Sequence, residues 1–206
     1  MSCMALAHDE RADLADLLAD LAPQQWDAPT LCTGWRVRDV VTHMISYEVL
    51  SRREIARRAV RARFRPDRLN ALGVAEHRDD DPQELLARLR SRLEPRGLTA
   101  GFGGRIALVD GMIHHQDIRR PLGLPREIPR ERLRPALEFA RLAPPIRAFW
   151  RIRGLRLVAT DLDWTTGRGP EVRGPGEALL MAMAGRRGVV DELTGPGRAI
   201  LAGRIG

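Results

Sequence analysis

The chain contains no lysine: all 34 of its basic side chains are arginines, set against 27 acidic side chains, for a net charge of +7. Nucleic-acid-binding surfaces ordinarily use both cations, because either one neutralises a phosphate. Arginine alone, together with abundant Ala, Leu, Gly and Pro, indicates the codon bias of a GC-rich genome instead. The positive charge therefore does not by itself predict a nucleic-acid partner.

Other scarce features narrow the class of protein further. Aromatic residues make up only 4% of the chain, whereas hydrophobic residues make up 44%, which predicts a globular core of mainly Leu, Ala, Val and Ile. Two cysteines, Cys3 and Cys32, are too few for a disulfide scaffold. No run of 18 apolar residues and no signal peptide are evident, so we expect a cytoplasmic protein with no membrane partner.

Hydrophobic periodicity predicts helices over most of the chain and strands near its end. The predicted helices cover residues 9–22, 33–63, 81–95, 105–119 and 130–142. Thr33 is the predicted N-cap of the second helix, and residues 64–80 are expected to form a loop. Alternating patterns then predict strands over 154–165 and 170–173, followed by a helix to about residue 193. The predicted fold is α+β but mostly α, with a helical bundle at 1–150 and a small α+β domain at 151–206.

A carboxylate and an imidazole are spaced for metal binding on the helix at 105–119. Asp110 and His114 are four residues apart, so they share a helix face with Cβ atoms about 5–6 Å apart. His43 lies on another predicted helix among apolar neighbours and is the best third ligand. Three protein ligands with one open position are typical of catalytic zinc sites. The alternative is a simple hydrogen bond between Asp110 and His114, because spacing does not show that the two helices meet.

Two neighbours of His114 have alternative interpretations. Asp117, three residues further on, can orient the free ring nitrogen of His114, as carboxylates do beside metal-bound histidines. It can equally form an ion pair with Arg119 or Arg120. His115 is rotated by about 100° around the helix, so we expect it at the mouth of the site or on the surface rather than among the ligands.

Two further features have both a functional and a structural interpretation. Cys32 precedes the predicted second helix, where a thiol can become nucleophilic. We favour a small packed residue at this position instead. The arginine-rich segment, residues 52–68, contains eight arginines and a single aromatic residue, Phe64. A surface that binds nucleic acid or an anionic membrane is one interpretation, but the lack of aromatic residues favours a solvated helix face.

Several segments together resemble a known family. Residues 25–43, QWDAPTLCTGWRVRDVVTH, resemble the N-terminal signature of mycothiol-dependent maleylpyruvate isomerase-like proteins. Residues 114–123, HHQDIRRPLG, resemble their second signature. The segments at 172–180, 184–187 and 193–197 are similar to their C-terminal region. The resemblance covers most of the chain outside residues 51–100.

The resemblance implies a DinB-like four-helix bundle with a divalent metal ion, zinc first among the candidates, held by His43, Asp110 and His114. It implies a small C-terminal α+β domain beside the metal. It also implies mycothiol or a similar low-molecular-weight thiol as cosubstrate and a small electrophilic substrate, for isomerisation or thiol transfer. An arginine of the C-terminal domain would hold an anionic group, and we assign Arg186. The characterised isomerase has Glu where this chain has Asp110, so the metal and the substrate need not be those of that isomerase.

A second hypothesis is that the chain is not an enzyme. The chain would then be a non-catalytic helical bundle whose metal site is structural or vacant, with the arginine-rich segment as a binding module. In either case we expect a monomer or a homodimer. We do not expect nucleic acid as the partner, because Phe64 is the single aromatic residue of that segment that could stack on a base.

Overall fold

The computed structural model describes residues 1–47, 50, 52–77 and 80–205. The chain divides into two compact units, Met1–Arg126 and Glu127–Gly206. The mostly helical α+β fold predicted from the sequence is confirmed. The division falls earlier than the expected boundary after residue 150, because the helix at Arg130–Ala140 packs against a helix of the second unit and buries Leu133 and Leu137 there.

The first unit contains six α-helices within the described residues. They are α1 (Cys3–Ala19), α2 (Val37–Ser46), α3 (Arg52–Arg61), α4 (Pro66–Ala75), α5 (Pro82–Arg90) and α6 (Arg105–Arg119), with a 3-10 helix at Pro23–Asp27. Helices α1, α2, α5 and α6 pack against one another as a four-helix bundle. Their shared core consists mainly of aliphatic side chains around Trp26. Among the described residues, no helix combines the length and the apolarity needed to cross a bilayer.

Two boundary predictions in this unit are wrong. Helix α2 begins at Val37 rather than near Thr33, because Asp39 accepts a hydrogen bond from the backbone N–H of Arg36 at 2.9 Å and caps the helix there. It ends at Ser46 rather than near residue 63. Residues 66–75 form a helix where a loop was expected. Among the described side chains of this helix, Val74 is the one buried aliphatic residue, which is too weak a periodic signal to reveal the helix in the sequence.

The second unit combines four helices with a three-stranded sheet. Its elements are α7 (Arg130–Ala140), α8 (Ala148–Ile152), β1 (Arg156–Ala159), β2 (Thr165–Gly167), β3 (Glu171–Gly174), α9 (Gly176–Met183) and α10 (Arg198–Arg204). The central strand β1 pairs antiparallel with β2 and parallel with β3. Leu157 and Val172 are opposite each other in the parallel pair, and both are fully buried.

Candidate metal centre

The structure brings the three predicted ligands together between α2 and α6. Asp110 Oδ1 lies 3.7 Å from His43 Nε2 and 3.5 Å from His114 Nε2. One ligand atom from each residue lies within 4.8 Å of the others. Both imidazoles are buried, whereas the Asp110 side chain keeps 35% of its surface exposed. The cluster is therefore open to solvent on its carboxylate side.

The spacing of these atoms fits a shared cation. The two nitrogen–oxygen distances of 3.5 and 3.7 Å are longer than good hydrogen bonds. They are close to the roughly 3.3 Å that separates two ligands on a tetrahedral zinc ion with bonds of about 2.0 Å. Two imidazole nitrogens and a carboxylate oxygen are also a common donor set of catalytic zinc sites. The residues present therefore fit a divalent cation.

Aromatic packing orients the His43 ring. Its Nδ1 is buried and has no hydrogen-bond partner in the described part of the chain. The ring instead lies 5.2 Å from the ring of Trp35, 5.6 Å from that of Tyr47 and 4.8 Å from that of His114. Tyr47 was missed as a site residue in the sequence. Its position four residues after His43, on the same helix face, is the signal that could have identified it.

A buried carboxylate orients the His114 ring from its other side. His114 Nδ1 lies 2.9 Å from Oδ2 of the fully buried Asp117, which also accepts a hydrogen bond from Cys32 Sγ at 3.0 Å. A proton on Nδ1 leaves the lone pair of Nε2 available to a cation, on the side of the ring that faces Asp110 and His43. Cys32, His114 and Asp117 also form a second cluster that is close enough to hold a cation, through the opposite ring nitrogen.

Cys32 itself does not lie at a helix terminus. It is half-buried in the loop before α2, and the helix begins five residues later at Val37. The thiol of Cys32 is therefore not positioned for activation by the N-terminus of this helix. Its Sγ lies 3.7 Å from His114 Nδ1, so the thiol contacts the residues that surround the cluster.

Charges in the cluster are strongly coupled. Burial foremost lowers the pKa of His43, which favours the neutral ligand form. Burial alone would raise the pKa of Asp110, but His114 and His43 outweigh it and hold that pKa far below its usual range. Burial likewise opposes a charged His114, yet Asp110 and Asp117 raise the pKa of His114 well above its ordinary value. A cation bound at Nε2 would therefore replace a proton there.

His115 belongs to a separate buried network and lies neither at the site mouth nor on the surface. It is fully buried, with Nδ1 2.9 Å from Glu10 Oε1 and with Nε2 accepting a hydrogen bond from Arg119 at 2.8 Å. Arg126 pairs with the same Glu10 oxygen. Burial and the neighbouring arginines lower the pKa of His115 to about 4, so the ring is neutral at pH 7. Glu10 and Arg126 could not be identified from the sequence, because no local pattern links them to His115.

Arg186 lies in the second unit, between α9 and the 3-10 helix at Arg187–Glu192. Its Nη1 donates a hydrogen bond to the carbonyl of Ala184 at 3.1 Å. Burial and the charges of Arg147 and Arg186 lower the pKa of Arg151. Arg186 thus belongs to a group of arginines within this unit.

Helical-bundle proteins that bind metals likewise build their sites from side chains on facing helices. Residues 7–96 match the family model of the mycothiol maleylpyruvate isomerase N-terminal domain. Residues 7–96 are thus similar to that domain, and the resemblance inferred from the sequence is confirmed.

Two solved structures are similar to the chain over nearly its whole length. One is the crystal structure of a His-to-Ala mutant of the mycothiol-dependent maleylpyruvate isomerase, with a TM-score of 0.62 and 16% identity over 94% of this chain and 91% of that one. The other is the crystal structure of the mycothiol-dependent maleylpyruvate isomerase, with a TM-score of 0.56 and 15% identity over the same shares. At this identity the likeness shows the fold alone. No curated protein matches the chain.

Proposed function

We propose that the protein is a metal-dependent enzyme that uses mycothiol or a similar low-molecular-weight thiol to isomerise a small electrophilic substrate or to transfer the thiol to it. The observation that carries this proposal is the convergence of His43, Asp110 and His114 on one point. The N-terminal domain family supports the same activity.

The proposed metal ligands are His43 Nε2, Asp110 and His114 Nε2, with zinc as the preferred ion for this donor set. When bound, the cation would lower the pKa of a thiol and favour its thiolate form. Asp117 would hold the His114 ring in place. Arg186 would pair with an anionic group of thiol or substrate. Aspartate is one methylene shorter than the glutamate of the characterised isomerase, so the reaction need not be the isomerisation of maleylpyruvate.

The proposed isomerisation needs no oxidant or reductant. The thiolate sulfur forms a bond to one carbon of an activated double bond, and the π-electron pair moves toward the conjugated carbonyl. Rotation about the resulting single bond changes the geometry. The sulfur–carbon bond then breaks, the double bond re-forms and the thiol is released unchanged. In the transfer reaction, a proton would instead add to the carbon and the thioether would be the product.

The test begins with metal-free protein. We expect one zinc ion per chain in a titration followed by elemental analysis. Cobalt substituted for zinc should develop a sulfur-to-metal charge-transfer band when mycothiol is added, because the thiolate then joins the ion. A protein that takes up no divalent ion would contradict the proposal. Ion binding without any spectral response to thiols would reduce the cluster to a structural metal site.

Replacing Asp117 by Ala is expected to weaken zinc binding about 10–100-fold, the usual effect of removing a carboxylate that orients a metal-bound histidine. The affinity is measured by competition with a chelating dye. Cys32→Ala is the matched control, because it removes another hydrogen-bond partner of the Asp117 side chain and leaves the proposed ligands intact. A larger loss in Cys32→Ala than in Asp117→Ala would place the ion in the second cluster, at Cys32, His114 and Asp117.

A further inference from the structure

Two large aromatic side chains are exposed side by side on α8. Phe149 is 56% exposed and Trp150 is 65% exposed, and their rings are 5.4 Å apart in an edge-on arrangement. Trp26 and Trp164, by contrast, are buried. Single exposed apolar residues are ordinary on protein surfaces, whereas contiguous ones mark sites of interaction. In a chain with only 4% aromatic residues, this pair therefore indicates a surface that contacts a partner.

The backbone around α8 holds the aromatic pair outward. Arg147, the residue before the helix, has a φ of 59°, in the left-handed region that is uncommon outside glycine. Ala148 follows and is fully buried, so the helix is anchored by its first residue. Leu142, shortly after α7, is 64% exposed. The segment from the end of α7 to α8 thus presents three large apolar side chains to solvent.

The segment that carries these side chains is strongly positive. Residues 139–160 contain five arginines and no acidic residue. Arg141 is paired with Glu138 at 3.0 Å, at the edge of the segment. Arg147 and Arg153 are exposed on either side of the aromatic pair in the sequence. The exposed apolar side chains are therefore flanked by cationic groups.

In the part of the chain that the structure describes, backbone carbonyls rather than carboxylates hold two guanidinium groups at α8. Nη1 of Arg151 donates to two carbonyls, at 2.5 and 3.0 Å. Nη1 of Arg204, on α10, donates to two carbonyls at the end of α8, at 2.8 and 2.6 Å. A carbonyl orients a guanidinium without neutralising its charge, so the positive charge remains available to an anionic partner.

We name this region the α8 surface; it comprises Leu142, Arg147, Phe149, Trp150, Arg151, Arg153 and Arg204. A second copy of the chain does not fit it. A two-fold interface uses the same patch on both subunits, so it would bring the same arginines face to face. An acidic protein would match the charge, but it would need a pocket for each of two rings that are inclined at 80° to each other.

An anionic lipid bilayer fits both the charge and the aromatic pair. Tryptophan and other aromatic side chains are favoured at the boundary between headgroups and acyl chains, where no shaped pocket is needed. Basic side chains near such a surface are attracted by its anionic lipids. The long arginine side chains can extend to the phosphates while their aliphatic stems remain in apolar surroundings.

We propose that the α8 surface docks the protein reversibly on an anionic lipid bilayer. Phe149 and Trp150 would enter the headgroup region, and the arginines would pair with lipid phosphates. Apolar insertion and basic charge together supply the two signals that a stable interfacial attachment requires. Such docking needs no spanning helix, and it replaces the sequence-based expectation that no membrane is a partner. It is independent of the metal cluster and of the proposed reaction.

The test measures cosedimentation of the full chain with vesicles of phosphatidylglycerol and phosphatidylcholine in equal parts. The wild-type protein should bind these vesicles, should not bind phosphatidylcholine alone, and should be released by high salt. The double variant Phe149→Ala with Trp150→Ala should bind about 10–100-fold more weakly, because two aromatic side chains no longer leave water. Phe64→Ala is the matched control, since it removes a 78% exposed aromatic residue from the arginine-rich segment, and it should bind like the wild type.

Arg153→Gln tests the contribution of charge. It should weaken binding about fivefold, the effect of one basic side chain near an anionic surface. Arg57→Gln, at an exposed position of the arginine-rich segment, is its control and should have no effect. Circular dichroism checks that each variant folds, which we expect because all the substituted side chains are exposed.

Several results would overturn the proposal. They include no binding to anionic vesicles, equal binding to neutral ones, or undiminished binding by the folded double variant. A loss of binding in Phe64→Ala and Arg57→Gln alone would assign the lipid contact to the arginine-rich segment instead. Binding to polyglutamate but not to vesicles would indicate an acidic protein as the partner.

Discussion

Replacing His43 by Ala is expected to weaken zinc binding by more than about 100-fold, beyond the range seen when only a supporting carboxylate is lost. Thiol-dependent turnover should fall with the metal. The reason is geometric: Asp110 and His114 alone offer two donors from one helix, whereas His43 supplies the only proposed ligand from α2. Chelator competition measures the affinity, and conversion of an electrophilic substrate in the presence of mycothiol measures the activity.

The same variant should remain folded. Removing a buried side chain leaves a cavity, which destabilises the protein. In this case the substitution also removes His43 Nδ1, a buried atom with no hydrogen-bond partner in the described residues, whose burial costs about 1–3 kcal/mol. The two effects oppose each other, so we expect only a modest change in the midpoint of urea unfolding for the metal-free protein. The variant is thus expected to lose the proposed metal without losing its fold.

His8→Ala is the matched control for this experiment, because His8 is an exposed histidine on α1, away from the proposed ligands. It should bind zinc like the wild-type protein. Zinc binding by His43→Ala within threefold of the wild type would contradict the proposed ligand set. Combined with a loss in Cys32→Ala, that result would assign the ion to the second cluster, which uses the other nitrogen of His114.

The site could be predicted as far as its contacts are local in the sequence. Asp110 and His114 follow from the four-residue spacing of one helix, and Asp117 follows from the next turn. His43 lies on a different helix, so its place beside Asp110 and His114 depends on a tertiary contact. Its apolar neighbours predicted an inward position on a helix, and the family resemblance supplied the pairing. Tyr47 could have been predicted in the same way, since it is four residues after His43 and shares its helix face.

Long-range contacts between polar residues could not be predicted. The hydrophobic pattern shows which face of a helix is buried, but it does not identify the residue opposite. Glu10 and His115 are 105 positions apart, and both are polar residues buried on helix faces that a hydrophobic pattern would not mark as buried. The compact units divide at residue 126 rather than at the predicted residue 150, because a helix pattern does not reveal which unit the helix packs against.

The network of Glu10, His115 and Arg126 links the start of the chain to α6 and the segment after it. Glu10 is fully buried, and although burial raises its pKa, hydrogen bonds and charge from His115 and Arg126 outweigh that effect and lower the pKa. Its folded-state pKa therefore lies below the unfolded value. The carboxylate stabilises the fold above that unfolded value, and the contribution is lost as the pH falls through the folded value.

Replacing Arg126 by Met is expected to lower the free energy of unfolding by about 3–5 kcal/mol at pH 7, because it removes the guanidinium that pairs with the buried Glu10 carboxylate. Urea unfolding measures the change. The double variant Glu10→Gln with Arg126→Met should be more stable than Arg126→Met alone, since no buried charge remains unpaired.

The cost of Arg126→Met should also shrink as the pH falls through the lowered folded-state pKa of Glu10, because a protonated Glu10 no longer needs the guanidinium of Arg126. Arg105→Met, on the exposed first position of α6, is the control and should change stability by less than about 0.5 kcal/mol. A cost that stays constant with pH, or a double variant no more stable than the single one, would show that Arg126 acts through packing of its aliphatic stem rather than through its charge.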